Sequence, residues 1–426
     1  MGAIATKTDA TQRECQEEAK ILLTIAFEVG WLLTKNRRGR GPKGARGKAR
    51  TAAHTTPRRI ILVAANSCWN LINFRAPIIR ELIDNGYRVV ASAPLDDAAP
   101  ALRAMGVEIA PIAIDARGVS PLRDIKLLLD YRSSIRRIAP KAFLGFTAKP
   151  NIYGSASAAS LGIPAINTVT GLGTGFLSGR ILQAIVSRLY RWGLRRSRKV
   201  FFHNQEDLDL FISSGLVRAE QAGLVAGSGV DLARFASAPK KGGAQPPTFL
   251  FIGRLLKDKG LGEFLEAASL VKQRRPARFQ VIGAIEDHPK AVSRQSIEEA
   301  GASGAVELLG RTDDVRPFIA NADCVVLPSY REGLPRVLLE AGAMATPVVA
   351  ADVPGCRQAV DHGVTGLLCE ARSATALAQA MLSIAKMSPK DRMQWVNEEG
   401  RRPNANSPRR VLSRLTSKRS TESMTE

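Results

Sequence analysis

Glu332 and Glu340 stand eight residues apart in Ser329-Tyr330-Arg331-Glu332-Gly333-Leu334-Pro335-Arg336-Val337-Leu338-Leu339-Glu340-Ala341. Pro335 suits the first position of a helix. Glu332 would then lie just before that helix and Glu340 in its second turn. The residues around Glu340 are apolar, and a carboxylate buried among them needs a partner. A vicinal diol such as a ribose would supply two O–H donors; a nearby arginine would supply a salt bridge. Glu332 reads either as a ligand contact or as a surface acid favoured by the helix dipole. A second cluster, Arg254, Lys257 and Lys259, follows the apolar run Thr248–Gly253 and precedes Gly260. Cations beside a fresh helix N-terminus can clamp a diphosphate, although an ordinary basic turn has the same composition.

The elements that must position these groups alternate along the chain. Short apolar runs at Arg59–Ala65, Tyr87–Ala91, Ala142–Phe146, Ala165–Val169 and Lys199–Phe202 read as buried parallel strands. Helical patterns at Ala76–Asn85 and Pro121–Ile138 fall between them. The pattern restarts with strands at Thr248–Gly253, Arg278–Ile282, Val306–Leu309, Cys324–Leu327 and Pro347–Ala351, and a helix at Gly260–Gln273. This alternation predicts an α/β chain with two doubly wound, Rossmann-like domains facing across a cleft. The expected divisions are a basic disordered extension at 1–58, a first domain at 59–238, a second at 239–390 and an irregular tail at 391–426. Pro239–Pro247 reads as the linker.

Charge is unevenly spread. Residues 59–205 carry 20 Lys and Arg against 8 Asp and Glu, whereas 206–389 carry 20 against 21. A basic half facing a neutral half points to an anionic surface or a phosphorylated substrate. The stretch Gly179–Lys199 places Ile181, Leu182, Ile185, Val186, Leu189 and Trp192 at helical spacing, with six arginines mostly on the other side. Such a helix suits an anionic bilayer surface, or a core contact with a solvated basic face. No run of 18 uncharged apolar residues occurs. Ile21–Leu33 is interrupted by Glu28 and follows acidic residues, unlike a signal peptide. Five scattered cysteines with no CxxC pair argue against a zinc site and fit a reducing compartment.

The ordered set Gly253-Arg254…Lys259-Gly260, Leu309-Gly310-Arg311 and Ser329-x-x-Glu332-Gly333-x-Pro335-x-x-x-x-Glu340-Ala341 resembles the retaining GT-B glycosyltransferases of family 4. The glutamate spacing is similar to that family's E-x7-E motif. In the first half, Asn73-Phe74-Arg75, Phe146–Asn151, Thr170–Gly173 and Gly227–Asp231 resemble bacterial transferases that build O-antigen, capsule or exopolysaccharide units. The resemblance implies that Arg254 and Lys259 hold a donor diphosphate and stabilise the leaving group. It implies that Glu332 meets donor-sugar hydroxyls, that the backbone of Gly333, Leu334 and Pro335 approaches the phosphates, and that Glu340 binds the ribose. Gly310 and Arg311 would border the base. Retention in this family is thought to proceed on the front face, without a protein nucleophile and without a metal. Asp207-x-Asp209 is accordingly read as coincidental.

The expected activity is hexosyl or N-acetylhexosaminyl transfer from a UDP-sugar to a lipid-linked or polysaccharide acceptor in cell-surface glycan synthesis. The expected partners are a nucleotide-sugar donor, a polyprenyl-diphosphate-linked acceptor and an anionic membrane, on the cytoplasmic face of the plasma membrane. No cofactor and no nucleic acid are expected. A GT-B epimerase or hydrolase shares the fold but lacks the glutamate arrangement, and a nucleic-acid-binding protein would explain the charge but not the glutamates. Three departures from the family are plain: the loop after the first strand is Asn66–Asn70 rather than glycine-rich, no histidine stands at Phe146–Lys149, and Asn397–Asn406 does not read as the long helix with which family members usually finish. Lys149 is an alternative contact for acceptor phosphate.

Overall fold

The computed structural model describes residues 59–392 except 116–119, 173–175, 177–178, 226, 237–245, 286–289 and 389–390. The extension 1–58, the tail after 392 and most of the expected linker Pro239–Pro247 lie outside the described residues. The chain divides into two compact units, one ending at Ser228 and the other running on from Gly229.

The first unit is a seven-stranded parallel sheet. Its elements are β1 (Ile60–Ala64), α1 (Cys68–Asp84), β2 (Arg88–Ser92), α2 (Ala99–Ala104), β3 (Glu108–Ile109), α3 (Pro121–Ile138) and β4 (Ala142–Gly145). A π-helical turn at Pro150–Gly154 leads into α4 (Ser155–Ser160), followed by β5 (Ala165–Val169), α5 (Arg180–Leu194), β6 (Lys199–Phe202), α6 (Gln205–Ser213) and β7 (Ala222–Leu224). The strand order is β3-β2-β1-β4-β5-β6-β7. All neighbouring strands run parallel, and the order in which they are added reverses between β1 and β4, the switch point beside which such sheets bind ligands. β1, β4 and β5 are buried almost throughout, as strands covered on both faces must be.

α1 begins eight residues before the expected Ala76. Ser67 caps it by accepting the Asn70 amide at 3.0 Å. Pro77 imitates a helix start but lies inside the helix. Most of the segment Asn66–Asn70, read from the sequence as a loop, is the cap and first turn of α1.

The second unit holds β8 (Thr248–Ile252), α7 (Leu261–Lys272), β9 (Arg278–Ile282), α8 (Arg294–Ala302), β10 (Glu307–Gly310), α9 (Arg316–Asn321) and β11 (Cys324–Leu327). Then come α10 (Arg336–Ala343), β12 (Val348–Ala351), α11 (Cys356–Ala359), β13 (Gly366–Cys369) and α12 (Ala374–Lys386). All six strands are parallel, in the order β10-β9-β8-β11-β12-β13. Phe249, Phe251, Phe264 and Phe279 fill one face, with ring centroids 5.4–6.1 Å apart. Each such ring stabilises the core by about 1.5–3 kcal/mol. Val230 and Phe235 pack against the other face, so the segment after Gly229 belongs to this core.

Candidate donor site

β8, β11 and β12 are neighbours, so the turns that follow them meet at one edge of the second unit. After β8 the chain passes Gly253 and Arg254, makes a 3-10 turn at Lys257–Lys259 and enters α7. After β11 it passes Pro328–Pro335 and enters α10, with Pro335 as the capping residue and not the first helical one. Tyr330 ties the two turns together. Its amide donates to the Asp258 carbonyl at 2.9 Å, and its hydroxyl donates to Glu263 on α7 at 2.5 Å.

Two glycines set the spacing. Gly260 has φ +72°, and a Cβ there would lie 2.1 Å from the Pro328 carbonyl oxygen. Gly355, after β12, has φ +77°, and a Cβ would lie 2.4 Å from the Gly333 oxygen and 2.8 Å from the Glu332 oxygen. Only glycine satisfies both the backbone and the space at these points. The sequence signal for Gly355 was no more than Pro354-Gly355, and its role was not foreseen.

The result of this packing is a contact between two of the predicted site residues. Lys259 Nζ lies 2.5 Å from Glu332 Oε1, with both side chains largely shielded. Burial pulls the Lys259 ammonium down, but the charge and hydrogen bond of Glu332 outweigh it, and the net shift is upward. Lys259 therefore stays charged. Cys356, at the start of α11, is fully buried near both groups, and burial pushes its thiol well up.

Glu340 is buried on α10 and pairs with Arg336 one turn earlier, Nε to Oε1 at 2.8 Å. The arginine alternative for its partner is thus the one present. Burial raises the Glu340 carboxyl above its ordinary range, and the charges of Arg336 and then Arg234 lower it, with burial dominant. Arg234, unforeseen in the sequence, sits in the turn after Gly229 with its amide on Asp231 at 3.0 Å. Gly333 and Pro335 are buried and Leu334 half-buried between the two glutamates. Arg254 is exposed beside the 3-10 turn.

Gly310 ends β10 and Arg311 follows it, and β9 separates β10 from β8. Gly310 accepts the Gly283 amide at 2.9 Å, and the Arg311 side chain is mostly exposed, 3.8 Å from Asp313. In the first unit, Lys149 pairs with Asp124 at 2.6 Å, in the wall of a cavity of about 450 Å³. Asp207 is occupied at the start of α6, where its amide and its carboxylate both meet the Asn204 side chain. Among the described residues, no group of three or more His, Cys, Asp and Glu is gathered as a metal site.

Two family models match these two units: "Glycosyl transferase 4-like" over residues 59–204 and "Glycosyl transferases group 1" over residues 246–387. The chain is a group 1, family 4-like glycosyltransferase. This glycosyltransferase is 25% identical over 352 residues to the N,N'-diacetylbacillosaminyl-diphospho-undecaprenol alpha-1,3-N-acetylgalactosaminyltransferase of Campylobacter jejuni, covering 76% of this chain and 92% of that one. A D-inositol 3-phosphate glycosyltransferase of Pseudarthrobacter chlorophenolicus is 36% identical over 168 residues, which is 37% of this chain and 40% of the relative. Among solved structures, Anabaena HepE in complex with UDP and glucose matches with a TM-score of 0.64 at 18% identity, over 85% of this chain and 99% of that one. The fold of this glycosyltransferase is GT-B.

Proposed function

We propose that this glycosyltransferase moves a sugar from a UDP-sugar to a polyprenyl-diphosphate-linked acceptor, with retention at the anomeric carbon. The observation that carries the donor half is the Lys259–Glu332 contact, a charged amine and a carboxylate held together at the meeting of two turns. A donor diphosphate would lie against Lys259 and Arg254, and its sugar hydroxyls against Glu332. The ribose would share Glu340 with Arg336. The bond between the anomeric carbon and the diphosphate oxygen breaks, and the bond to the acceptor oxygen forms. The acceptor proton passes to the leaving phosphate. Lys259 and Arg254 stabilise the charge that develops there, which is where preorganised electrostatics lowers a barrier most.

The acceptor half draws on the Campylobacter relative, whose substrate is lipid-linked, and on the surface of the first unit. Ile181, Ile185 and Trp192 on α5 are exposed, while Tyr190, Gly193 and Leu194 are the buried residues of that helix. α3 packs on α4, and α4 on α5. α3 adds exposed Leu122, Ile125 and Leu129 at helical spacing. Arg180, Arg188, Arg191 and Arg195 are exposed on and just beyond α5. An apolar stripe edged with arginines fits an anionic bilayer, each cation near the surface adding about 1 kcal/mol. No helix among the described residues is long and apolar enough to cross a membrane.

The test is transfer of radiolabel from a panel of UDP- and GDP-sugars into extractable lipid, using this protein and membranes with a verified acceptor pool. Label in lipid from a UDP-sugar supports the reading. No transfer from any donor rejects it.

A further inference from the structure

Arg75 is 4% exposed in the middle of α1, and among the described residues no carboxylate pairs with it. Its guanidinium lies over the Phe146 ring, 4.6 Å from the centroid, and Nε has no partner. A ring face attracts a cation, but it does not replace a counter-charge. Burial lowers the Arg75 pKa to about 10, and the charge persists at neutral pH.

Other unpartnered atoms gather at the same edge of the first unit's sheet. Strand register pairs Ala64 with Gly145, Gly145 with Asn167, and Val169 with Phe202. Continued by two residues, it brings Asn66 level with Thr147. His203 stands one residue beyond Phe202. Asn66 Oδ1, Thr147 Oγ1 and His203 Nε2 are all buried without a partner, as is Asn70 Oδ1 in the first turn of α1. His203 is pushed down to about 3, by burial first and by the Arg75 charge second, so it is neutral beside Arg75. Buried polar atoms are nearly always satisfied, and several together call for an explanation. Water would satisfy the amide and hydroxyl oxygens. It would not neutralise a guanidinium.

We propose that Arg75 anchors a phosphate group of a substrate at the carboxyl edge of β1, β4 and β6, with Thr147 and His203 as neutral hydrogen-bonding partners. The chemistry recognised is a diphosphate oxyanion; taking the lipid-linked acceptor as its bearer rests on the function proposed above, and the donor diphosphate is the other source. Guanidinium suits this role because its planar fork meets phosphate oxygens in pairs. Lys149, the residue first considered for acceptor phosphate, is already neutralised by Asp124, whereas Arg75 is not neutralised by any described residue.

The experiment is calorimetric titration of the full-length chain with geranyl diphosphate at saturating UDP, and separately with UDP, for wild type, R75M and R75K. R75M is expected to melt no lower than wild type, because an apolar side chain replaces a buried, unpaired charge. It is expected to lose at least tenfold in affinity for one of the two ligands. Loss confined to geranyl diphosphate identifies the acceptor as the source, and loss confined to UDP identifies the donor. If R75M does not fold, R75K is expected to bind the same ligand three- to tenfold more weakly, the charge being kept and the fork lost. Binding of both ligands within twofold of wild type by the folded variant overturns the proposal. The lipid-transfer assay separates the two readings. Equal transfer by wild type and R75M rejects the phosphate anchor alone, and no transfer by wild type rejects the proposed function.

Discussion

Gly355 and Glu332 touch through their backbones: a Cβ on Gly355 would lie 2.8 Å from the Glu332 carbonyl oxygen. The turn after β12 therefore fixes the backbone of the acid that meets Lys259. On the opposite side, Gly260 presses on Pro328. The Lys259–Glu332 contact is held by close-packed turns on both flanks, and the predictions start from that constraint.

Gly355→Ala and Gly260→Ala should each destabilise the protein by about 2 kcal/mol or more, since a Cβ meets backbone at a positive φ. Where the fold survives, transfer should fall at least tenfold, because the chain must shift at Glu332 or Lys259. Urea unfolding and initial rates check both values. Gly262 is a fitting control, since nothing lies within 4 Å of its added Cβ. Wild-type stability and rate in Gly355→Ala would remove the packing argument.

Lys259→Met should lower kcat by about 10²–10³-fold, the usual effect of removing one preorganised charge from a leaving group. Lys259→Arg should recover part of that loss. The readout is steady-state transfer with the best donor of the panel. A kcat within threefold of wild type in Lys259→Met would show that the ion pair is structural.

The fold was legible because its signals are local. Ala165–Val169, Lys199–Phe202, Arg278–Ile282 and Cys324–Leu327 are short, mostly apolar, β-branched or aromatic segments, and they form strands with the bounds read from the sequence. Short strands escaped. β3 is two residues and β7 is Ala-Gly-Leu, and neither carries enough apolar length to stand out. α1 was misread at its start because Pro77 competes with the Ser67 cap as a start signal. In the candidate site, Glu332, Lys259 and Glu340 announced themselves as charges in apolar or glycine-rich settings. Gly355 and Arg234 did not, because their roles depend on which strands become neighbours, and that is a long-range fact. Arg75 was legible only as part of a resemblance; its burial without a counter-ion is a property of packing.

His203 should give the protein an acid-sensitive limb. Its pKa falls from about 6.5 to about 3 on folding, so its contribution is complete above pH 6.5 and is lost as pH falls toward 3. At pH 4.5 the loss is roughly 2 kcal/mol. His203→Asn should flatten the fall in unfolding free energy between pH 6.5 and 4.5, whatever its effect at neutral pH. Denaturant titrations at four pH values measure the slope. Equal slopes in both proteins would contradict a buried neutral histidine.

Vesicle flotation examines the α3–α5 surface. The protein should float with phosphatidylglycerol vesicles at low salt and remain below with phosphatidylcholine vesicles. Replacing Ile181 and Ile185 with serine should at least halve the bound fraction. Binding that ignores both lipid charge and these side chains would assign the stripe to another partner.

The donor site is tested most directly by calorimetric titration of UDP into the wild-type protein and into Glu340→Gln. The carboxylate accepts two hydroxyl donors from a ribose, whereas an amide accepts fewer and removes the charge that faces Arg336. Binding by the wild type, with about tenfold weaker affinity in Glu340→Gln, or about 1.4 kcal/mol, is the predicted result. Equal UDP affinity in the two proteins would contradict the assignment of Glu340 to the nucleotide.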